Sequence, residues 1–271
     1  MLNTHLAKLN STQYAFTDLT VHLFIYFLIS VTAYLILFKT TRWAKSRIDP
    51  KPIRKQQLQS EIKHSLLTIF VFAVNGGIVV ELNRRFGWFR FYEDVNLHGL
   101  PYLLLSPFLF ILLHDTYFYW THRLMHRPSV FKRIHAVHHQ SYSPTPFTVY
   151  SFHWGEAFVE SCFVPTAAFF LPMHPLAMFA LIIASQAMNL IGHAGHEFLP
   201  RWFYRSFLAE FFTTTTHHHF HHSGGARSNY GFYFRIWDRL CGTEDPRYAA
   251  ALDRLRGRPE VSRDHASQLA S

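Results

Sequence analysis

The side chains best able to do chemistry in this sequence are its clustered histidines. His122 and His126 in "HRLMH" stand four residues apart. "HAVHH" places His135, His138 and His139 at spacings of three and four, and "HHHFHH" repeats that His-x-x-His-His pattern with His218, His221 and His222. On a helix, each set falls on one face. Imidazoles one turn apart can converge on one metal ion or on a close pair. Eight such nitrogens are more than a single four-coordinate zinc requires. They suit two metals with positions left for oxygen and substrate. Imidazole alone does not choose among iron, zinc, copper and nickel. All these ligands would be neutral, so nearby acids matter. Asp115, Glu156 and Glu197 are available, each as a ligand or as an acceptor that fixes a histidine tautomer.

Other histidines lie within reach of the same pattern. His114 precedes His122 by eight residues and sits on nearly the same helix face. His217 is four residues before His221 and could join it, whereas His219 points elsewhere on any helix. "HAGHE" adds His193 and His196. The bland alternative for "HHHFHH" is a tag-like, low-complexity tract. Phe220 interrupts the run, and its inner spacing repeats that of "HAVHH". Cys162 and Cys241 are far apart and form no metal motif.

The elements that must hold these residues are apolar. Only 16% of the 271 residues are charged, well below the roughly 25% of an average soluble domain. Residues 19–38 contain no Asp, Glu, Lys or Arg and are long enough to cross a bilayer as a helix. Residues 65–82 and 100–122 predict two more spans. Residues 155–192 turn at Pro172 and Pro175 and predict a hairpin. The intervening 39–64 carry eight Lys or Arg against two acids, and Pro50 and Pro52 break any continuous helix there. This segment reads as a basic loop on anionic headgroups.

Of the 26 Lys and Arg residues, 22 lie in 39–64, 123–154 and 193–271. With three spans and a hairpin, these segments share one side, which the positive-inside rule makes cytoplasmic. The dense histidine groups fall on that side too. The basic charge is thus a matter of topology, and no nucleic-acid partner is expected. The architecture expected is all-α: a membrane bundle of about three spanning helices plus the 155–192 hairpin, under a cytoplasmic helical cap carrying the histidines. Residues 1–98 form the first spans and basic loop, 99–246 the catalytic region and 247–271 a polar tail.

The order "HRLMH", "HAVHH", "HHHFHH", closed by "NYGFYFRIWDRLCGTEDP", resembles the fatty acid hydroxylase/sterol desaturase superfamily of membrane enzymes. The resemblance covers residues 100–246. It implies His122, His126, His135, His138, His139, His218, His221 and His222 as metal ligands, with His193 matching a further family histidine. "SFHWGE" resembles a segment of sterol-modifying members, which brings in His153 and Glu156. It further implies two iron ions, O2 as co-substrate, and attack on a lipid C–H bond, with zinc as a substitute metal. No haem domain or flavin motif is visible, so an external electron donor is expected. Hydroxylation is preferred to desaturation on family frequency alone.

The rival class is a membrane divalent-metal transporter or metal-binding protein, whose ligands belong near the midplane on broken helices. A zinc hydrolase would show His-Glu-x-x-His, which is absent. The "NYG…WDRL" segment reads as an amphipathic surface helix anchored by Trp237 and Arg239. A bacterial inner membrane is expected before an endoplasmic reticulum membrane.

Overall fold

A computed structural model describes residues 10–49, 51–223, 225 and 227–257. Helices dominate; among the described residues the only β pairings are three isolated bridges. Among the described residues four helices are long and apolar enough to cross a membrane: α1 (Ser11–Lys39), α2 (Lys55–Phe86), α3 (Gly99–Met125) and, after α4 (Trp154–Ser161) and α5 (Phe163–Phe170), α6 (Pro175–His193). Their outward faces carry bare aromatic and aliphatic side chains such as Phe24, Phe70, Phe108 and Phe179. Apolar surface of this kind needs lipid rather than water against it.

Two expectations are refined. The stretch 155–192 is the expected hairpin, since its two ends bring His138 and His193 together, but its arms are unequal. α4 and α5, eight residues each, are too short to span, and α6 alone has span length. The basic segment is also less of a loop than its composition suggests. Pro50 lies outside the described residues, but α2 begins at Lys55, just beyond Pro52. Its first turns are held by Glu61, which is buried and accepts from Gln57 Nε2 (2.7 Å), Ser141 Oγ (2.8 Å) and Thr145 Oγ1 (2.6 Å). These contacts tie α2 to the chain just after "HAVHH". α2 ends at Gly87, whose left-handed φ of 63° lets its N–H reach Asn83 O.

α1 packs along α2, α3 packs against α6, and α4 lies against α2. The cap above them is built from short elements, of which α7 (Thr215–Ser223), α8 (Ile236–Leu240) and α9 (Arg247–Arg256) matter most. The region expected as a polar tail opens with α9. It buries Tyr248 and Leu252 against Tyr204 and Ala209. Residues 258–271, the rest of that tail, lie outside the described residues.

Candidate metal centre

The histidines converge from four places in the chain. α3 delivers His122 in its last turn, with His126 as its C-cap. His135 ends a π-helical turn (Phe131–His135), and His138 and His139 open a 3-10 turn. α6 ends on His193, and α7 carries His218, His221 and His222. Together they make two groups. His122, His126, His135, His139 and His221 form one; His138, His193, His218 and His222 form the other. Within each group, one nitrogen per residue lies within 4.8 Å of all the others. The groups abut: the His139 and His222 rings are 4.7 Å apart, and those of His138 and His139 5.7 Å.

The one-face reading of each His-x-x-His-His motif is therefore wrong. The i, i+4 pairs 122/126, 135/139 and 218/222 stay together, but His138 and His221 each cross to the other group. Adjacent helical residues diverge by about 100°, so neighbours such as His221 and His222 cannot share one focus. Around "HAVHH" the π turn and 3-10 turn replace a regular helix altogether.

The ring nitrogens report their own protonation. His138 Nδ1 faces Ser151 O (3.3 Å) and His193 Nδ1 faces Asn189 O (2.9 Å). A carbonyl only accepts, so each Nδ1 carries the proton and each Nε2 is bare. Yet these two bare Nε2 atoms stand 3.2 Å apart. The other group repeats the pattern. His122 Nδ1 donates to Tyr230 O (2.9 Å) and His221 Nδ1 to Ser228 O (2.7 Å), while His135 Nδ1 pairs with Glu156 Oε1 (2.8 Å). The Nε2 atoms of His122 and His135 then meet at 3.1 Å. Lone pair against lone pair in a buried site is repulsive unless a cation stands between them. The donor set thus fits a metal ion in each group.

Burial, reinforced by the neighbouring imidazoles, holds His135, His138, His139, His218, His221 and His222 well below the ordinary imidazole value of 6.5. In chelator-treated protein these rings stay neutral when folded and titrate normally when unfolded. The unfolded chain then binds more protons below pH 6.5, so stability is full above that pH and falls as the pH drops. The thermal unfolding midpoint in detergent is expected to decline from pH 7 to pH 5; a level or rising midpoint would contradict these burials.

The remaining candidates belong to neither group. Glu156 supports His135. Asp115 Oδ1 accepts from the Tyr233 and Phe234 backbone N–H groups, at 2.8 and 3.1 Å. His114 Nδ1 pairs with Tyr233 OH at 2.8 Å. His153 caps α4, accepting from Gly155 N. His196 contacts Trp43 O and Ser46 Oγ, joining the α1–α2 connection to the end of α6. Glu197 accepts from Thr216 N (2.6 Å) and Tyr204 OH (2.5 Å), capping the histidine helix α7. His217 is buried edge-on to Tyr248, with Asp238 and Glu244 each 3.9 Å away. His219 is buried as well, beside a small crevice with Asp49 and Gly195.

The family model for fatty acid hydroxylase matches residues 107–243. The chain belongs to the fatty acid hydroxylase family. Among its curated relatives, human lathosterol oxidase is 28% identical over 70% of this chain and 62% of its own length. The Delta(7)-sterol 5(6)-desaturase ERG3B of Gibberella zeae is 27% identical over 81% of this chain and 64% of its own length. The chain thus spans about three fifths of the length of these relatives. No solved structure matches it.

Several residues that hold the family's histidines in place escaped the motif reading. The segment "NYGFYFRIWDRL" is not a surface helix. Tyr230, Phe232 and Tyr233 are buried, only Ile236–Leu240 is helical, Trp237 Nε1 donates to Thr116 Oγ1, and Arg239 pairs with Glu210. Its Tyr230 carbonyl orients His122, and the Ser228 carbonyl just before it orients His221. Asn229, left-handed at φ 59°, donates from Nδ2 to His217 O and accepts from Asp245 N. Asp238 accepts from Tyr230 N (2.9 Å), Gly231 N (2.7 Å) and Thr243 Oγ1 (2.7 Å). A Cβ at Gly231 would collide with the Phe234 carbonyl. The threonines before the histidine run are seats too: Thr213 donates to Phe232 O and Thr215 to Ile191 O.

A cavity of about 640 Å³ comes up to this centre from between α1, α2, α4 and α6, within the range of small-molecule sites. Phe118 and Phe152 line its inner end, and their rings lie 5.0 and 5.1 Å from those of His122 and His138. Phe232 stacks on Phe118 at 4.5 Å and completes that wall.

Proposed function

We propose that this chain is a membrane enzyme that oxidises a C–H bond of a lipid, with two iron ions held by the nine histidines. The observation that carries this is the pair of bare nitrogens, His138 Nε2 and His193 Nε2, facing each other at 3.2 Å. His122, His126, His135, His139 and His221 would hold one ion and His138, His193, His218 and His222 the other. Iron so bound would supply activation of O2 for attack on an unreactive C–H bond, with electrons from a separate donor. The chain's own part is positional. Backbone carbonyls and Glu156 fix the imidazole tautomers. Phe118, Phe152 and Phe232 keep water from the space beside the histidines and present an apolar surface to the substrate. The cavity receives the lipid.

The relatives' names, lathosterol oxidase and Delta(7)-sterol 5(6)-desaturase, favour a sterol as the lipid and desaturation over hydroxylation, which reverses the preference drawn from family frequency. They come from human and fungi and give a bacterial inner membrane no support. Zinc as a substitute metal finds no support in them either. The distribution of Lys and Arg supports a cytoplasmic histidine side by the positive-inside rule. The metal-transporter reading is weaker, because the histidines gather at helix ends and in connecting segments rather than on broken helices at mid-depth.

Lipid mass spectrometry of cells expressing the wild-type chain or its His218→Ala variant tests the proposal. A wild-type-dependent loss of 2 mass units in a sterol marks desaturation, and a gain of 16 marks hydroxylation. Unchanged lipids together with protein-dependent uptake of a divalent metal would replace this reading with the transporter.

A further inference from the structure

The cavity is mostly apolar, yet three carboxyl residues line it: Asp18, which pairs with His22, Glu93, which is exposed, and the buried Glu160. Glu160 stands one helical turn beyond Glu156 on α4. Glu160 Oε1 is enclosed without a hydrogen-bond partner. Nothing in the fold requires a carboxyl there. The backbone of α4 is already bonded, and Glu156, not Glu160, supports His135. A buried polar group left unpaired costs about 1–3 kcal/mol, so a leucine would make a more stable wall. The polar character continues beside it. Ser161 and Asn75 also line the cavity, with Asn75 Nδ2 donating to Ser161 O (3.1 Å) and Ser161 Oγ (3.0 Å). That donation holds the amide in place and leaves Asn75 Oδ1 as a second acceptor.

We infer that Glu160 is a specificity-determining residue, which accepts the hydroxyl of a lipid alcohol inside the cavity. A hydroxyl matches the site because it both donates and accepts: burial pushes the Glu160 carboxyl up to about 8, so the acid form can donate to the alcohol oxygen and the ionised form can accept its proton. An unfunctionalised hydrocarbon would leave Glu160 unpaired. Four residues separate Glu160 from Glu156, about 6 Å along the helix. The hydroxyl is therefore held one turn of α4 from Glu156, and Phe72, Val79 and Val80 line the space for the apolar remainder of the lipid.

This inference rests on reading the cavity as the lipid site, and it is tested by binding rather than turnover. Detergent-purified protein is titrated with lathosterol and with the same hydrocarbon lacking the hydroxyl. Wild type is expected to prefer the alcohol by about tenfold, the value of one good hydrogen bond. Glu160→Leu should bring the alcohol down to the affinity of the hydrocarbon and leave the hydrocarbon unchanged or tighter. Glu160→Gln, which keeps an acceptor, should retain most of the preference. Metal content of each variant reports folding. A preference that survives in Glu160→Leu overturns the assignment. So does equal loss of both ligands, or a wild type that binds neither sterol or does not discriminate. None of those results disturbs the metal-centre reading, which metal analysis of the wild type decides separately.

Discussion

Replacing His218 by alanine is expected to cut bound metal from two ions per chain to one or fewer and to lower product formation by roughly 100-fold or more, since even a residue behind a ligand is worth 10–100-fold. His218 Nε2 lies 2.9 Å from His193 Nε2 and 3.2 Å from His222 Nε2, at the middle of its group. Without it, three imidazoles remain in that group. His138→Ala should behave alike, because His138 faces the same nitrogen from the other side. His219→Ala is the discriminating control. It removes the very next histidine of the same run, one that belongs to neither group, and should leave the metal count at two. Metal analysis by mass spectrometry and turnover on extracted lipid measure all three. Full metal and full activity in His218→Ala would sink the ligand assignment. An equal loss in His219→Ala would mean that the run acts through helix integrity rather than ligation.

That contrast shows what the sequence makes legible. Spacing identifies the helix-borne pairs, because residues four apart on a helix stay within one angular sector whatever surrounds them. It does not say where His138 and His221 go. Their partners come from other elements, His193 at the end of α6 and His122 at the end of α3, and only tertiary packing supplies those. The spans are legible for a similar reason, as long apolar runs have one cheap environment. Their ends are not: α2 begins ten residues before its apolar run because Glu61 finds three partners in the 141–145 segment. "NYGFYFRIWDRL" misleads in the opposite direction. Its alternation of aromatic and charged residues suits a membrane surface, but Asp115, Asp238 and Asn229 pull the segment's backbone inward. The signal was present as a helix-interrupting Asn-Tyr-Gly followed by Asp seven residues after the Gly, and its meaning lies in backbone hydrogen bonds that residue types do not display.

Asp238→Ala is expected to be as damaging to the site as losing a ligand, without touching one. The carboxylate is fully buried and accepts from two backbone N–H groups and from Thr243. Alanine leaves Tyr230 N and Gly231 N unpaired in the interior, at about 1–3 kcal/mol each. The backbone they belong to holds Tyr230 O against His122 and continues from Ser228 O against His221. Both rings belong to the five-histidine group. Freed of those acceptors, each can take either tautomer or turn away, and a ring with Nε2 protonated cannot bind metal through that atom. Asp238→Ala should therefore lower the unfolding midpoint and deplete the metal of the five-histidine group, leaving about one ion per chain. Asp238→Asn, which keeps one acceptor oxygen, should fall between it and wild type on both measures. A destabilised Asp238→Ala protein that still carries two metal ions would show that the segment supports the cap alone and that the histidines hold their orientation without it.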